Sequence, residues 1–461
     1  MKTQTALEYE NSRQIAYARA EAFLYELRLF GTKLGLANIT RLLEIIGCPH
    51  KNLFVIHIAG TNGKGSVAAM LNAMFTAGGA RTGLFTSPHL MSLRERFKIN
   101  NRVIAPSAFT RHFAKVKKAV EKLNSEGVYP TFFEVVTAIA FDYFAYRDVD
   151  VVLLETGMGG SYDATNVARS DISVITNVDL DHCEYLGNTI PDIARDKAGI
   201  IKQGSVFVTG SDEPSALDVF REICADRSAR MCVSSLHHIT LKKRTAGGMV
   251  FDYNDGHTSL CNLKTNLPAS YQIKNCAVAL RVLREAVGVK QLGDSFFERA
   301  VKGLERVRIN ARFQLLRRDP PVILDGAHNP AGILALKESV ADVYAGWRVH
   351  LVLGILADKE CEQMCRIIAP VADEVYCADV PSARSMSSEK LAGLCRRCVP
   401  QRVNVQAVTS VAELIEKFCS AYTRRSKTLL LICGSLYLAG DVLEKLKKSP
   451  YKILDSGNDY R

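Results

Sequence analysis

The stretch "NLFVIHIAGTNGKGSV", residues 52–67, decides the fold. Residues 52 to 60 are an almost uninterrupted apolar run, the pattern of a strand buried on both faces. From Lys64 the spacing becomes helical, in "KGSVAAMLNAMFTAGG", and stops at Gly78 and Gly79. Strand, tight turn and helix together aim several backbone N–H groups and a positive helix end at one point, where a phosphate can sit, with Lys64 reaching toward the terminal phosphates. Gly60, Thr61, Asn62, Gly63, Lys64, Gly65 and Ser66 are therefore the candidates for a nucleotide's phosphates. The spelling departs from the standard P-loop in two places. Ile58 stands where that motif has Gly, and Gly65 stands where it has the Ser or Thr that holds magnesium. If the loop is functional, the metal must be held from elsewhere in the chain.

Working outward, buried strands are expected at 149–157, 172–179 and 205–210, each ending where polar residues gather. Near "GLERVRINAR" (303–312) the chain becomes charged, and the strand–helix alternation then restarts at 320–330, 349–359, 374–380, 403–408 and 428–440. The expected architecture is α/β: an N-terminal P-loop-type ATPase domain over 1–305 with a mainly parallel sheet, and a smaller C-terminal Rossmann-like α/β domain over 306–461.

Composition narrows the partners. The 461 residues are 48% apolar, enough for two or three cores at about 150 residues per domain. Lys and Arg exceed Asp and Glu by 59 to 48, which favours anionic small molecules, and no nucleic-acid-binding signature accompanies the scattered basic residues. The polar N-terminus reads as neither a secretory signal nor a transit peptide, and no apolar run approaches the ~18 residues of a membrane span, so a cytoplasmic location is expected. Thirteen cysteines, odd in number and dispersed, indicate a reducing compartment. The close pairs Cys361/Cys365 and Cys395/Cys398 fall in helical stretches without the further ligands of a zinc site.

Substitute metal ligands stand at three strand ends, where open α/β sheets place their ligands: Ser87 in "LFTSPHL", Glu155 in "LLETGMGG" and His182 in "VDLDHCEYLG". Hydroxyl, carboxylate and imidazole, completed by water and phosphate oxygens, can hold Mg²⁺, although imidazole is an uncommon ligand for so hard a cation.

Seven motifs in order, "GTNGKGS", "TSPHL", "ETGMGGSYDATN", "ITNVDLDHCEYLGNT", "ARDKAGIIK", "LDGAHNP" and "GSLYLAG", resemble the folylpolyglutamate synthase and dihydrofolate synthase family of the Mur ligase superfamily. The upstream segment at 27–49 fits as well, so the resemblance covers nearly the whole chain. It implies an ATP-dependent amide ligase. A pterin carboxylate attacks the γ-phosphate of ATP, L-glutamate attacks the acyl phosphate, and phosphate leaves. First addition to dihydropteroate and later additions to folate use the same machinery, and both stay open.

By resemblance, Lys64, Glu155, His182 and Lys197 are catalytic. Ser87 with Glu155 would hold one magnesium ion and Glu155 with His182 a second, so Ser87 replaces the missing loop hydroxyl. Lys197 matches a lysine carbamylated by carbon dioxide. Arg312, Asp325 and His328 are implied in nucleotide binding between the domains, and Asn275 in the adenine contact. Arg96, Ser435 and Tyr437 fall on glutamate-binding positions and Asp163 on the pterin side; a solvated helix charge is the competing view of Arg96. Three departures from the pattern stand out: Asn310-Ala311 in place of Pro-Gly, Tyr271 in place of His, and Ser161 in place of a common Arg. A monomer is expected.

Two alternatives stand beside this reading. A cell-wall Mur-type ligase acting on a UDP-linked substrate shares the ATP site, but calls for a nucleotide-sugar domain for which the ~50 residues before the loop are too few. A non-catalytic nucleotide-dependent binding protein calls for a degraded site, whereas Lys64, Glu155, His182 and Lys197 are all present.

Overall fold

The structure is a computed structural model that describes residues 2–27 and 35–447. Residues 28–34 of the upstream segment singled out above lie outside the described residues. The described residues form two compact units, one running to Leu236 and adding Asn275–Leu304, the other made of His237–Lys274 and residues 305–447.

In the first unit, β1 (Val55–Ala59), β2 (Thr82–Phe85), β3 (Phe97–Ile99), β4 (Arg102–Val103), β5 (Val151–Glu155), β6 (Ile172–Ile175), β7 (Val206–Thr209) and β8 (Arg230–Val233) form one sheet in the order β4-β3-β2-β5-β1-β6-β7-β8. Pairing is parallel from β2 to β8, and only β3 and β4 run antiparallel at one edge. All residues of β1, β2, β5, β6 and β7 are buried, which is why each is apolar without alternation. Between β5 and β6 the connection crosses from one side of β1 to the other, so the sheet's topological switch point lies at β1, whose C-terminal end opens the glycine loop.

The second unit holds two sheets. β9 (Ile239–Thr245), β10 (Gly248–Asn254) and β11 (Ser259–Thr265) form an antiparallel meander, in a stretch where the sequence reading expected no strands. The other sheet joins β12 (Gln314–Arg318), β13 (Pro321–Leu324), β14 (Arg348–Leu353), β15 (Glu374–Ala378), β16 (Asn404–Val408) and β17 (Thr428–Cys433) in the order β12-β13-β17-β14-β15-β16. It is parallel except for β12. One face packs on the helices Pro330–Val343, Cys361–Ile368 and Ser388–Cys398. Cys361, Cys365 and Cys395 serve there as core residues, and every cysteine is a free thiol.

The Asn310-Ala311 departure has a visible consequence. Ala311 is fully buried at φ 53°, the left-handed region that disfavours a Cβ. Ala311→Gly is therefore expected to stabilise the protein by about 1 kcal/mol, read as a rise in Tm. An unchanged or lower Tm would show that the turn carries no strain.

Candidate active site

The glycine loop follows β1 and opens the helix Lys64–Gly78. It is stitched to the strand end of β6. Thr61 donates its N–H to the Asn177 carbonyl (3.1 Å) and its hydroxyl to the Asp179 carbonyl (3.0 Å), and the Asn62 N–H donates to Asn177 Oδ1 (2.8 Å). Glycine is required at two points by shape. A Cβ at Gly60 would stand 2.0 Å from Thr176 Oγ1, and one at Gly63, where φ is 84°, would stand 2.6 Å from Asn275 Oδ1. Asn275 thus lies against the loop. Lys64 donates to the Gly60 and Thr61 carbonyls at 2.7 and 3.2 Å, and Ser66 is buried within the first turn.

Glu155, the last residue of β5, is buried and faces this loop, its carboxylate oxygens 3.6 Å from where a Cβ at Gly65 would be. The Ser87 N–H donates to Glu155 Oε2 at 3.1 Å, so the structure joins two of the three expected metal ligands. Arg96 is 5% exposed; its guanidinium donates to Ser87 Oγ (3.1 Å) and to His89 Nδ1 (2.9 Å) and lies over the Phe132 ring. It is no solvated surface charge but a cation built into the wall beside Ser87. His182, at φ 54°, precedes a short helix and keeps a 42% exposed side chain. Among the described residues no three His, Cys, Asp or Glu side chains form a cluster able to hold a metal by themselves. The Glu155 carboxylate at a phosphate loop, with Ser87 joined to it through its backbone N–H, still suits Mg²⁺, a hard cation that usually keeps water and takes phosphate oxygens beside one or two protein ligands.

Lys197 is the most perturbed cation of the site. It is 3% exposed, and burial, with Lys64 adding repulsion, pushes its pKa down to about 7 despite Asp196, Asp181 and Asp163 nearby. Ser161 packs over this segment, its hydroxyl donating to the Asp196 carbonyl (2.9 Å). Asp163 turns inward. One oxygen accepts the N–H groups of Gly157 and Met158 and the other accepts the N–H and hydroxyl of Thr165, so it clamps the loop that follows Glu155, and burial raises its pKa. His57 extends this clamp, its Nε2 2.7 Å from Thr165 Oγ1. The sequence reading missed Thr176, Asn177 and His57; the "ITN" segment and the buried strand histidine were its available signals.

In the second unit Asp325 directly follows β13 and gathers a turn. Its Oδ2 accepts the Phe313 N–H (2.6 Å) and the Tyr271 hydroxyl (2.8 Å), and its Oδ1 accepts the Ala327 N–H (2.8 Å). Arg312 sits beside it and donates to the Ala311 carbonyl. His328 Nδ1–H donates to the Gly326 carbonyl at 2.8 Å. Tyr271, in place of the expected His, is thus a buried donor to a buried carboxylate. Tyr271→Phe is expected to cost about 2 kcal/mol of stability, measured by denaturant unfolding, whereas a change within a few tenths would show the bond to be idle. Ser435 is buried and its Oγ accepts the Tyr437 N–H (3.1 Å) at the start of the helix Leu436–Lys447, while Tyr437 stays 43% exposed.

Two protein-family profiles match this chain: "Mur ligase middle domain" over residues 58–283 and "Mur ligase, glutamate ligase domain" over 311–436. The dihydrofolate synthase/folylpolyglutamate synthase of Bacillus subtilis is 32% identical over 437 residues, spanning 94% of this chain and 99% of the relative. The chain belongs to the folylpolyglutamate synthase/dihydrofolate synthase family. Solved structures agree. Folylpolyglutamate synthase from Thermotoga maritima superposes with a TM-score of 0.81 at 34% identity, covering 96% of this chain and 99% of that one. A bifunctional folylpolyglutamate synthase/dihydrofolate synthase solved with Mn, AMPPNP and L-glutamate superposes with a TM-score of 0.77 at 27% identity, covering 93% and 98%. The folylpolyglutamate synthase/dihydrofolate synthase fold therefore carries an ATP-dependent ligase that adds L-glutamate to a folate-type carboxylate.

Proposed function

We propose that this ligase works through the first unit's loop with two divalent ions and a carbamylated Lys197, and that it accepts both dihydropteroate and reduced folates. The observation that carries the reading is the loop of Gly60–Ser66 with Glu155 and Ser87 joined at its side. The loop's N–H groups and Lys64 hold the phosphates of ATP. Glu155 and Ser87 would hold one ion and Glu155 and His182 another, which neutralise charge on the phosphoryl group as it transfers. The acceptor carboxylate attacks the γ-phosphorus and ADP departs; the amino group of L-glutamate then attacks the acyl carbon and expels phosphate.

Burial pushes the Lys197 pKa down to about 7, which makes available near neutral pH the unprotonated amine, the form that attacks the carbon of dissolved CO₂, loses one proton to solvent and becomes a carbamate anion. A buried ammonium beside Lys64 would be repelled by that lysine and by a divalent ion held in the site, whereas a carbamate brings the opposite sign. Asn275, Arg312, Asp325 and His328 are assigned to the nucleotide, Arg96, Ser435 and Tyr437 to glutamate. Asp163 supports the acceptor side by holding its loop. The domain roles follow: ATP binding over 1–305 and glutamate ligation over 306–461. A monomer without nucleic-acid partners fits the small-molecule substrates. No described helix is long and apolar enough to cross a membrane, and we place the enzyme in the cytoplasm.

Glutamate-dependent phosphate release, measured separately with dihydropteroate and tetrahydrofolate, tests the acceptor range. Turnover with both supports it; turnover with one restricts the enzyme to that step.

A further inference from the structure

A sheet covered by helices on both faces ordinarily shows apolar side chains on both. At the N-terminal ends of its strands the C-terminal sheet breaks this rule on one face, although Val352, Leu430 and Ile432 keep that face apolar further along. Val349, Leu351, Val375, Cys377 and Val405 enter the core, while the alternate positions are Arg348, His350, Glu374, Tyr376 and Gln406. The helix Val411–Ala421 lies over these residues but buries only Val411 and Ile415. Between helix and sheet is a cavity of about 650 Å³, within the size range of small-molecule sites. It lies at the N-terminal ends of β14, β15 and β17, the opposite end of the sheet from Asp325 and Ser435.

Its lining is specific. Glu374 pairs in register with His350, and Tyr376 with Gln406; the Tyr376 hydroxyl donates to the Glu374 carboxylate, which fixes its orientation. Phe418 stands 5.5 Å from the His350 ring at 57°, giving the cavity an aromatic wall for a flat ring. Burial lowers the pKa of His350, so the imidazole is neutral at pH 7 and offers one donor and one acceptor. Arg348 and Lys417 add two cations to the lining. A fixed carboxylate pairs best with two parallel N–H donors. Among flat nitrogen heterocycles, a fused 2-amino-4-oxopyrimidine presents such a pair, its amino and ring N–H groups, on one edge. Adenine presents a donor beside an acceptor there and leaves one carboxylate oxygen unpaired.

We propose that this cavity is a second ligand site, separate from the ligase machinery, for a fused 2-amino-4-oxopyrimidine with an anionic tail. Guanine nucleotides and pterins share that chemistry. Equilibrium dialysis of the full chain with GMP, folic acid and AMP, in saturating AMPPNP and Mg²⁺, tests it against Glu374→Gln and against Ala421→Trp, which fills the cavity from the helix. GMP, or folic acid as an equivalent beyond any acceptor-site binding, is expected to bind at least about tenfold more tightly than AMP. Both variants lose that binding while ligase turnover persists, and which of the two ligands is affected identifies the source. Equal affinity for AMP, or affinities for GMP and folic acid unchanged in both variants, overturns the proposal.

Discussion

Glu155→Gln is expected to lower kcat about a thousandfold, close to 4 kcal/mol of transition-state stabilisation, while the protein stays folded. The substitution keeps the shape of a side chain that is 4% exposed, and the amide oxygen still accepts the Ser87 N–H that now reaches the carboxylate at 3.1 Å. What disappears is the negative charge next to Gly65, at the mouth of the phosphate loop. Because burying that charge is itself unfavourable, Tm should hold or rise. Steady-state kinetics with a melting curve on the same sample check this. Retention of more than a tenth of the wild-type kcat would remove Glu155 from the reaction.

The second large effect is at Lys197. An amine with a pKa near 7 in the fold and 10.5 when unfolded binds fewer protons folded than unfolded between those values. The folded state is therefore disfavoured most fully below pH 7, and the penalty fades as pH rises toward 10.5. Lys197→Met replaces the buried amine by an apolar chain of similar length. In CO₂-free buffer it is expected to be more stable than the wild type at pH 6, with the difference shrinking toward pH 10; with bicarbonate present it is expected to turn over at least a hundredfold more slowly than the wild type. Wild-type activity should rise when bicarbonate is added near pH 8 and fall below pH 7, as the ammonium form displaces the reactive amine. A Met variant that keeps full activity, or that is less stable at pH 6, contradicts this role for the lysine.

Much of the fold is legible in the sequence because burial is written as composition. The strands at 55–59, 151–155, 172–175 and 206–209 are buried throughout, so continuous apolar runs announce them, and their polar ends announce the site. The meander of 239–265 is silent for the opposite reason. Its strands are half exposed, β9 reads Ile-Thr-Leu-Lys-Lys-Arg-Thr, and only Met249, Phe251 and Tyr253 of β10 carry its buried side.

The same distinction divides the site. Gly60, Lys64 and Ser66 are adjacent in sequence and declare a phosphate loop, and the lack of a hydroxyl at Gly65 directs attention to Ser87. Partnerships across long sequence separations are invisible. Tyr271 reaches Asp325 across 54 positions and His57 reaches Thr165 across 108, and nothing local in either segment foretells the bond. Arg96 shows why a charge cannot be assigned from its neighbours in sequence. Its exposure is set by Phe132, Ser87 and His89, which two other segments, the loop 87–89 and the start of the helix Phe132–Tyr146, bring to it.

The central claim is that this chain activates a carboxylate by phosphorylation before joining it to glutamate. The direct test is to run the purified enzyme with ATP, Mg²⁺, L-glutamate and a folate acceptor whose reacting carboxylate carries ¹⁸O, and to weigh the released phosphate. An acyl phosphate requires the expelled phosphate to take one oxygen from that carboxylate, so each phosphate should carry one ¹⁸O. Glutamate-dependent turnover that releases unlabelled phosphate would contradict the account.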